Sequence, residues 1–428
     1  MRFGVNYTPS KGWFHSWLEP DWDCVAHDLA QIADLGLDHV RVFPLWPILQ
    51  PNRTWINQRG LADLRHMVQL AGEQGLDVYS DVLQGHMSSF DFVPSWLVSW
   101  HETSMFSDAD AVQAQADLVK AVYDCLKDVP HFKGLTIGNE CNQFADPSHP
   151  RRMKADASDV EGWLRALLDP VRQEAANRGQ IMLHSENDAV WYEDGHAFLP
   201  RQASNTGDLT AIHSWVFNGT AQAYGSLSQE TTRHAEYLVE LSKAFADDPR
   251  RQVWLQEIGA PENVIDPADT SRFCTESLEH ALDCADLYGL TWWCSHDVDR
   301  SMGDFPPFEH DLGLFDQEGQ VKHIGKAFSD LVREHRSDPV APARSTAVVV
   351  QCDHEGNPTM RAACAPTGSV FEAWMELSKA GERPALVSSI VAADPQALAA
   401  RGISRCIEVG LRPGTVYNTV SDPSIEQG

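Results

Sequence analysis

Two glutamates carry the strongest chemical signal in the sequence. Glu140 ends the stretch GLTIGNE and Glu257 lies in QVWLQEIG, so each closes an apolar run that reads as a strand. Two carboxyl groups about 5–5.5 Å apart can break an acetal bond, because one protonates the leaving oxygen while the other attacks the anomeric carbon. Repulsion raises the pKa of the acid, and a nearby cation keeps the attacking carboxylate ionised. The pair therefore predicts cleavage of a glycosidic bond with retention of configuration.

The other predicted strand ends are rich in amides, imidazoles and indoles. Arg41 in HVRVF is the obvious cation for a carboxylate, and Asn139 directly precedes Glu140. Aromatic side chains suit sugars, because the C–H faces of a pyranose pack on indole. Trp292 and Trp293 are adjacent and so point to opposite sides of a strand, and we assign Trp293 to the pocket. The predicted substrate contacts are Arg41, His86, Asn139, His213, Trp215 and Trp293.

Ordinary structural roles remain open for these residues. Arg41 could be an ion-pair partner inside the fold, Asn139 could cap a turn, and either histidine could simply bond a neighbour. A single glutamate at a strand end is commonly a solvated or paired charge. Two of them on suitable strands, with an amide adjacent, favour a site. Four further acidic residues are candidate contacts to a second sugar or solvated loop charges: Glu186, Asp188, Asp297 and Asp299.

Eight short apolar runs alternate with amphipathic segments, and these must position the glutamates. The runs are nearly continuously apolar, as expected for parallel strands covered on both faces. Four intervening helices are predicted to end on a glycine, in ADLG, GEQG, ANRG and DLYG. The pattern predicts a (β/α)8 barrel over residues 1–336, and no early GxGxxG favours a doubly wound open sheet. The predicted strands are 2–8, 38–46, 77–83, 133–140, 181–188, 209–216, 252–259 and 289–297.

The character of the chain changes after the barrel. Residues 337–345 are proline-containing and read as a linker, and residues 346–428 read as a small α/β domain. This domain has no catalytic constellation, so we expect it to serve packing or a subunit interface. A homo-oligomer is compatible with such a domain.

Composition excludes several classes of partner. With 428 residues and a formal net charge of -28, the protein would repel nucleic acid and anionic lipid. The nine cysteines are scattered without a CxxC pair, and no HxxE, HxH or DxD pairing marks a metal site, so we expect neither metal nor cofactor. No charged leader precedes an apolar run, and no apolar stretch reaches membrane-spanning length. We expect a cytoplasmic protein.

The motifs TIGNE and WLQEIG resemble the signature of clan A glycoside hydrolases, most closely family 5. The resemblance extends over residues 1–336 and includes Arg41, His213 and a tryptophan in TWWC. It implies that Glu140 is the acid/base, that Glu257 is the nucleophile, and that Asn139 holds the sugar 2-hydroxyl. More narrowly, the barrel with a small C-terminal domain resembles bifidobacterial and actinobacterial exo-β-mannosidases. That resemblance implies action on the Man-β-1,4-GlcNAc core left from N-glycans.

One position departs from the family pattern. Family 5 commonly has His-x-Tyr on strand six, whereas this chain has HSW, with Trp215 in place of the tyrosine. An indole can donate a hydrogen bond but has no hydroxyl, so Arg41 or another group would have to orient Glu257. Two alternatives to an exo-mannosidase stay open, namely an endo-β-mannanase or glucanase and a non-catalytic sugar-binding barrel. Long loops after strands one, two and eight favour a closed pocket and hence exo cleavage.

Overall fold

The predicted strands form one parallel sheet that curves into a barrel. The computed structural model describes residues 1–337 and 341–415. The eight strands are β1 (Arg2–Asn6), β2 (His39–Val42), β3 (Asp77–Leu83), β4 (Phe132–Asn139), β5 (Ile181–Ser185), β6 (Thr210–Ser214), β7 (Val253–Ile258) and β8 (Leu287–Trp292). They pair in the order β5-β4-β3-β2-β1-β8-β7-β6. The end strands β5 and β6 pack side by side, and the N–H of Asp208 donates to the carbonyl of Met182 (2.9 Å). The (β/α)8 TIM barrel prediction is confirmed.

Helices on the outside of the barrel follow most of the strands. Aspartates cap several of them, since the Asp21, Asp108 and Asp156 carboxylates accept from backbone N–H groups of the first turn. No helix within the described ranges is both long and apolar enough to cross a bilayer. The longer barrel helices are Trp22–Asp34, Gln58–Glu73, Ala109–Leu126, Ala157–Asn177, His234–Ala244, Thr270–Leu282 and His323–Glu334. The shorter ones are Trp46–Leu49, Ala189–Tyr192, Pro200–Asn205, Thr220–Tyr224 and Gln229–Thr232.

The structure corrects two local predictions. Gly36, Gly75 and Gly179 follow helices in the left-handed conformation as expected, but Gly289 lies inside β8. The helix before β8 ends earlier, and Asp286 (φ 54°) makes the left-handed turn instead. The predicted eighth strand also stops at Trp292 rather than running to residue 297, because the following residues leave the sheet to form the mouth of the barrel.

Aromatic side chains fill the amino-terminal half of the barrel. Tyr79 and Trp254 lie ring to ring (centroids 4.6 Å apart), and His39 packs edge-on against both. Thr291 Oγ1 bonds His39 Nε2 and accepts from Trp254 Nε1, both at 2.8 Å. This layer of packed rings closes the amino-terminal half of the barrel interior.

A second, three-stranded parallel sheet follows the barrel. Its strands are β9 (Thr346–Val350), β10 (Pro384–Ser388) and β11 (Arg405–Ile407), in the order β10-β9-β11. Helices Ser369–Lys379, Ser389–Ala392 and Pro395–Ala400 accompany them. The predicted linker 337–345 includes residues 338–340, and the predicted domain 346–428 includes residues 416–428, all of which lie outside the described residues. The division into domains stays a prediction.

The C-terminal sheet is joined to the barrel by buried contacts. The Tyr237 hydroxyl donates to the carbonyl of Cys364 (2.7 Å), and its ring packs on Phe371 and Trp374. Arg344 Nη2 donates to the buried carboxylate of Glu236 (2.7 Å), while its Nη1 donates to the carbonyl of Pro384 (2.9 Å). These contacts reach the helix that lies behind β6.

We expect Arg344→Ala to lower the free energy of unfolding by about 2–3 kcal/mol, because removing one member of a buried ion pair leaves a charge poorly compensated. This loss is smaller than the roughly 3–5 kcal/mol that is typical of a broken buried ion pair, because Glu236 keeps Arg233 as a partner. Urea denaturation would measure it. Arg383→Ala is the matched control: its pair with Asp283 also joins the two parts but is half exposed, so we expect a loss below about 1 kcal/mol. Equal losses in the two variants would contradict the expectation.

Candidate active site

A completely buried arginine organises the carboxyl end of the barrel. Arg41 donates through Nε and Nη2 to both oxygens of Asp81 (2.8 Å each) and through Nη1 to Glu257 Oε1 (2.7 Å). Its Nη2 also donates to Asn139 Oδ1 (2.7 Å). The guanidinium therefore joins β2, β3, β4 and β7. A charge can be buried here because bidentate, charge-assisted hydrogen bonds replace its hydration.

Glu257 receives a donor on each carboxylate oxygen. Arg41 occupies Oε1, and the indole N–H of Trp215 donates to Oε2 (3.2 Å). Gly259 makes room for this indole, because a Cβ there would lie 2.8 Å from the Trp215 ring and 2.9 Å from the carbonyl of Trp293. The glycine of WLQEIG and the tryptophan of HSW are thus complementary. Two fixed donors favour the ionised form of Glu257 and hold it in one orientation.

Glu140 follows β4 directly and adopts a left-handed backbone conformation (φ 46°, ψ 37°). This costs roughly 1–2 kcal/mol for a residue with a Cβ, and such strain is characteristic of functional positions. The conformation turns the carboxylate towards β6, where Oε1 lies 2.7 Å from His213 Nδ1. Gln143 donates to the other oxygen. Glu140 therefore contacts an amide and an imidazole, in contrast to Glu257 beside the guanidinium of Arg41.

The two carboxylates lie close enough to act on one bond. Three atoms lie within 4.8 Å of one another: one oxygen of Glu140, one oxygen of Glu257 and one ring nitrogen of His213. His213 Nδ1 is also 3.4 Å from Glu257 Oε2. Retaining glycosidases place these groups about 5–5.5 Å apart, whereas inverting enzymes need about 6.5–9.5 Å to admit a water molecule. Oxygens within 4.8 Å of each other are compatible with the shorter of these two spacings.

His213 couples the titrations of the two glutamates. Burial alone would lower the pKa of His213, but the charges of Glu257 and Glu140 and the hydrogen bond to Glu140 raise it. Burial and the charge of Glu140 raise the pKa of Glu257, against the opposing effects of His213 and Arg41. Burial would also raise the pKa of Glu140, but the hydrogen bond and charge of His213 outweigh it and lower that pKa. These two directions are opposite to the expectation that the acid carries the raised pKa. The three groups share protons as a unit, so each titration belongs to the set and not to one residue.

The structure places the remaining predicted site residues around this pair. Asn139 Nδ2 donates to the carbonyl of His86 (3.1 Å), and His86 Nδ1 bonds Asp91 (3.0 Å). Trp293 lies beside Trp215, with centroids 6.3 Å apart, and also contacts Phe43. Trp292 instead packs against Phe328 of an outer helix. This arrangement agrees with the assignment of Trp293 to the pocket side.

The internal bonds of His213 leave little for a ligand. Its Nδ1 bonds Glu140 and its Nε2 lies 3.2 Å from Gln256 Oε1. The N–H groups of Arg41 are likewise taken up by protein oxygens. Contact of either side chain with a sugar stays a prediction, and the geometry gives both a role in orienting the glutamates.

Three of the four candidate contacts to a second sugar are bonded to other side chains of the protein, and the fourth lies at the surface. Glu186 pairs with His184, and Asp297 pairs with Lys322 (2.8 Å). Asp299 caps a turn at the surface through the N–H of Ser301. Asp188 is buried and accepts from Asn218 Nδ2 on both oxygens (3.0 and 3.1 Å). Burial raises the pKa of Asp188 to about 7.

Sequence reasoning missed three polar residues of the site. Asp81 lies in no motif of the sequence, although its position in β3 beside β2 could have indicated the pair with Arg41. Gln143 lies three residues after Glu140, in a helical turn that the sequence did not suggest. Glu309 lies on the loop after β8, and burial raises its pKa to about 7, with the charge of Glu257 adding to the effect.

Among residues 1–337 and 341–415, two sets of side chains have the geometry of metal ligands. One is Glu140, His213 and Glu257, and the other is His86, Asp91 and His149. Each carboxylate in these sets already accepts hydrogen bonds from protein donors, which satisfies its charge without an ion. The expectation that the protein needs no metal stays a prediction.

The chain is similar along nearly its whole length to several solved structures. A GH5_18 structure from Bifidobacterium longum subsp. infantis is 56% identical, covering 96% of this chain and 98% of that chain, with a TM-score of 0.94. A GH5_18 glutamate-to-alanine variant from Bifidobacterium longum subsp. longum in complex with Manβ1-4GlcNAc is 55% identical, covering 99% and 100%, with a TM-score of 0.96. A corresponding variant from Streptomyces cattleya, in complex with the same disaccharide, is 48% identical, covering 95% and 98%, with a TM-score of 0.91. No protein-family model and no curated protein matches the sequence.

Proposed function

Because this chain belongs to the GH5_18 family of glycoside hydrolases, we propose that it is a retaining exo-β-1,4-mannosidase that releases mannose from Man-β-1,4-GlcNAc. The observation that carries the proposal is the pair of carboxylates with oxygens within 4.8 Å, one bonded to an arginine and one bonded to a histidine and an amide. Two family members hold this disaccharide in variants that lack one glutamate, which is how an intact substrate is trapped on a glycosidase.

Glu257 is the nucleophile of this proposal. Arg41 and Trp215 fix its two oxygens, so the carboxylate is ionised and aimed before the sugar arrives. An oxygen of Glu257 forms a bond to C1 of mannose as the bond from C1 to the GlcNAc oxygen breaks. The product of this step is a covalent mannosyl-enzyme with inverted configuration.

Glu140 is the acid and then the base. Its proton passes to the departing O4 of GlcNAc, which leaves Glu140 ionised. The carboxylate then takes a proton from water, whose oxygen attacks C1 and displaces Glu257. Two inversions release mannose with the β configuration and return the proton to Glu140. His213 supports both steps, since its raised pKa lets it stabilise the carboxylate that forms.

Asn139 has one group left for the substrate. Arg41 occupies its oxygen and the carbonyl of His86 takes one amide hydrogen, which leaves a second hydrogen on Nδ2. In the proposal this hydrogen donates to the mannose 2-hydroxyl. Trp293 provides an apolar face for the ring, and its neighbours Trp215 and Phe43 hold it in place.

A closed wall on one side of the mouth supports exo cleavage. Trp13 after β1, Phe90 after β3 and Phe305 after β8 form one aromatic cluster, with ring centroids 4.7–5.7 Å apart. The loop after β2, which we expected to contribute, is not part of this cluster. A wall built from three loops favours a pocket that takes a chain end over an open groove.

We place the reaction in the cytoplasm, as a step in the use of N-glycan fragments. All nine cysteines are free, as is typical of proteins in a reducing compartment. A disaccharide is also small enough to be taken up by a cell, whereas a mannan polymer is not.

The deciding experiment is a panel of aryl β-glycosides together with Man-β-1,4-GlcNAc and β-1,4-mannotriose. We expect hydrolysis of the mannoside and the disaccharide, release of mannose from one end of the trisaccharide, and β-mannose as the first anomer seen by NMR. Internal cleavage of longer mannans would support an endo enzyme, an α anomer would exclude double displacement, and no hydrolysis of any substrate would favour a sugar-binding barrel.

We expect His213→Asn to move the whole pH–rate profile to higher pH. The His213 charge lowers the pKa of both glutamates, so its removal raises both. The acid limb, where Glu257 becomes protonated, and the alkaline limb, where Glu140 loses its proton, should therefore shift upwards together. The measurement is kcat/KM of an aryl β-mannoside against pH. His184→Asn is the control, since His184 is a buried histidine bonded to Glu186 and should leave the profile unchanged. Limbs that stay in place would contradict the coupling.

A further inference from the structure

Glu309 is a nearly buried carboxylate with an unused oxygen. It lies on the short helix Pro307–Asp311 after β8 and is 8% exposed. Ser88 Oγ, in the hairpin loop after β3, donates to its Oε2 (3.0 Å). Within residues 1–337 and 341–415, no donor reaches Oε1 and no cationic side chain pairs with the carboxylate. Glu309 Oε1 is not one of the fully buried unpartnered atoms, so this oxygen is accessible and free to accept a hydrogen bond from a ligand.

The surroundings of Glu309 place it on the wall of the active-site pocket. The preceding Phe308 packs against Phe217 (5.4 Å between centroids), which stacks on Trp215, the donor to Glu257. Burial raises the pKa of Glu309, and the charge of Glu257 adds to this effect. On its other side lies the aromatic cluster of Trp13, Phe90 and Phe305. Glu309 therefore lies between the nucleophile and the closed wall.

The orientation of the sugar decides which of its groups meets this wall. With C1 at Glu257 and the 2-hydroxyl at Asn139, the far edge of the mannose ring carries the 4-hydroxyl, and the 6-hydroxyl lies beside it. A β-1,4-linked chain extends through O4. A residue substituted there has neither a proton to donate nor room against the wall.

We propose that Glu309 Oε1 accepts a hydrogen bond from the 4-hydroxyl of mannose and so selects an unsubstituted non-reducing end. The inference rests on the proposed β-mannosidase function and adds the group that restricts it to chain ends. A site that hydrogen-bonds a substrate hydroxyl strongly discriminates against the analogue that lacks it, because a buried polar group is then left unpaired.

The test compares an aryl β-mannoside with its 4-deoxy and 6-deoxy analogues in the wild type and in Glu309→Ala. In the wild type, kcat/KM should be about 10- to 100-fold lower for the 4-deoxy analogue than for the parent. Glu309→Ala should lose a similar factor on the parent and lose almost nothing further on the 4-deoxy analogue. Glu309→Leu also removes both acceptor oxygens and carries the comparison if the alanine variant fails to fold.

Asp311→Asn is the matched control, because it removes one charge from the same short helix but its carboxylate pairs with Arg300 at the surface. Its kcat/KM ratios among the three substrates should equal those of the wild type. Equal losses of the Glu309 variants on all three substrates would show a purely structural role and overturn the proposal, as would coupling to the 6-hydroxyl alone. A wild type that cleaves the mannoside without this coupling refutes only the role of Glu309, whereas a wild type that cleaves no mannoside refutes the proposed function itself.

Discussion

Glu257→Gln should abolish turnover of an aryl β-mannoside, with kcat reduced by about 10⁴-fold or more, as is typical when a catalytic nucleophile is removed. The amide is nearly isosteric, and its one oxygen can still accept from Arg41 or from Trp215 though not from both, but it cannot form the mannosyl-enzyme. Binding should survive, so calorimetry should still detect binding of Man-β-1,4-GlcNAc to this variant.

The fold should also survive this substitution. Arg41 keeps both bonds to Asp81 when Glu257 loses its charge, so the guanidinium is not left unpaired. Asp299→Asn provides the control for loss of one carboxylate at the mouth, and it should retain the full rate because Asp299 is exposed. A near-normal rate for Glu257→Gln would show that the nucleophile lies elsewhere.

Glu140→Ala should show a different pattern that depends on the leaving group. Hydrolysis of Man-β-1,4-GlcNAc should fall by about 10²–10⁴-fold, the usual worth of a general acid. Dinitrophenolate departs from its β-mannoside without being protonated. The first step should therefore stay fast, and the mannosyl-enzyme should accumulate. The expected signal is a burst of dinitrophenolate followed by a slow steady state.

Azide separates the roles of the two glutamates. In Glu140→Ala it should enter beside the mannosyl-enzyme without base assistance, restore turnover and yield β-mannosyl azide. An α-azide would mean that the missing carboxylate was the nucleophile and that the assignment of the two residues is reversed. Failure of azide to accelerate the variant, or equal loss on both leaving groups, would contradict a role as acid/base.

The barrel and the two glutamates could be predicted because their signals are local. Apolar runs with polar carboxyl ends determine which residues meet at one end of a parallel barrel, and TIGNE and WLQEIG each lie within one such run. The bonding of Trp215 could not be predicted in the same way. Whether its indole reaches Glu257 depends on the space beside Gly259 on another strand, and a pattern within HSW contains no information about that distance.

The residues that sequence reasoning missed depend on contacts between distant segments. Glu309 comes to the pocket because the loop after β8 packs on loops some 200 and 300 residues earlier, through Phe305, Phe90 and Trp13. Nothing in PPFEHDLG marks a ligand contact. The left-handed turn at Asp286, in place of the expected glycine, is likewise a consequence of where β8 pairs with β1 and β7.

The position of Arg41 has a consequence for any attempt to change the substrate range of the enzyme. The Arg41 side chain connects four strands through its hydrogen bonds and is also the electrostatic partner of the nucleophile. In a library of variants at Arg41, Asp81 or Asn139, loss of folding could not be distinguished from altered selectivity. The loops that form the wall share no hydrogen bond with this arginine. Directed evolution should therefore randomise the rim around Ser88 and Glu309 and leave the floor of the barrel constant.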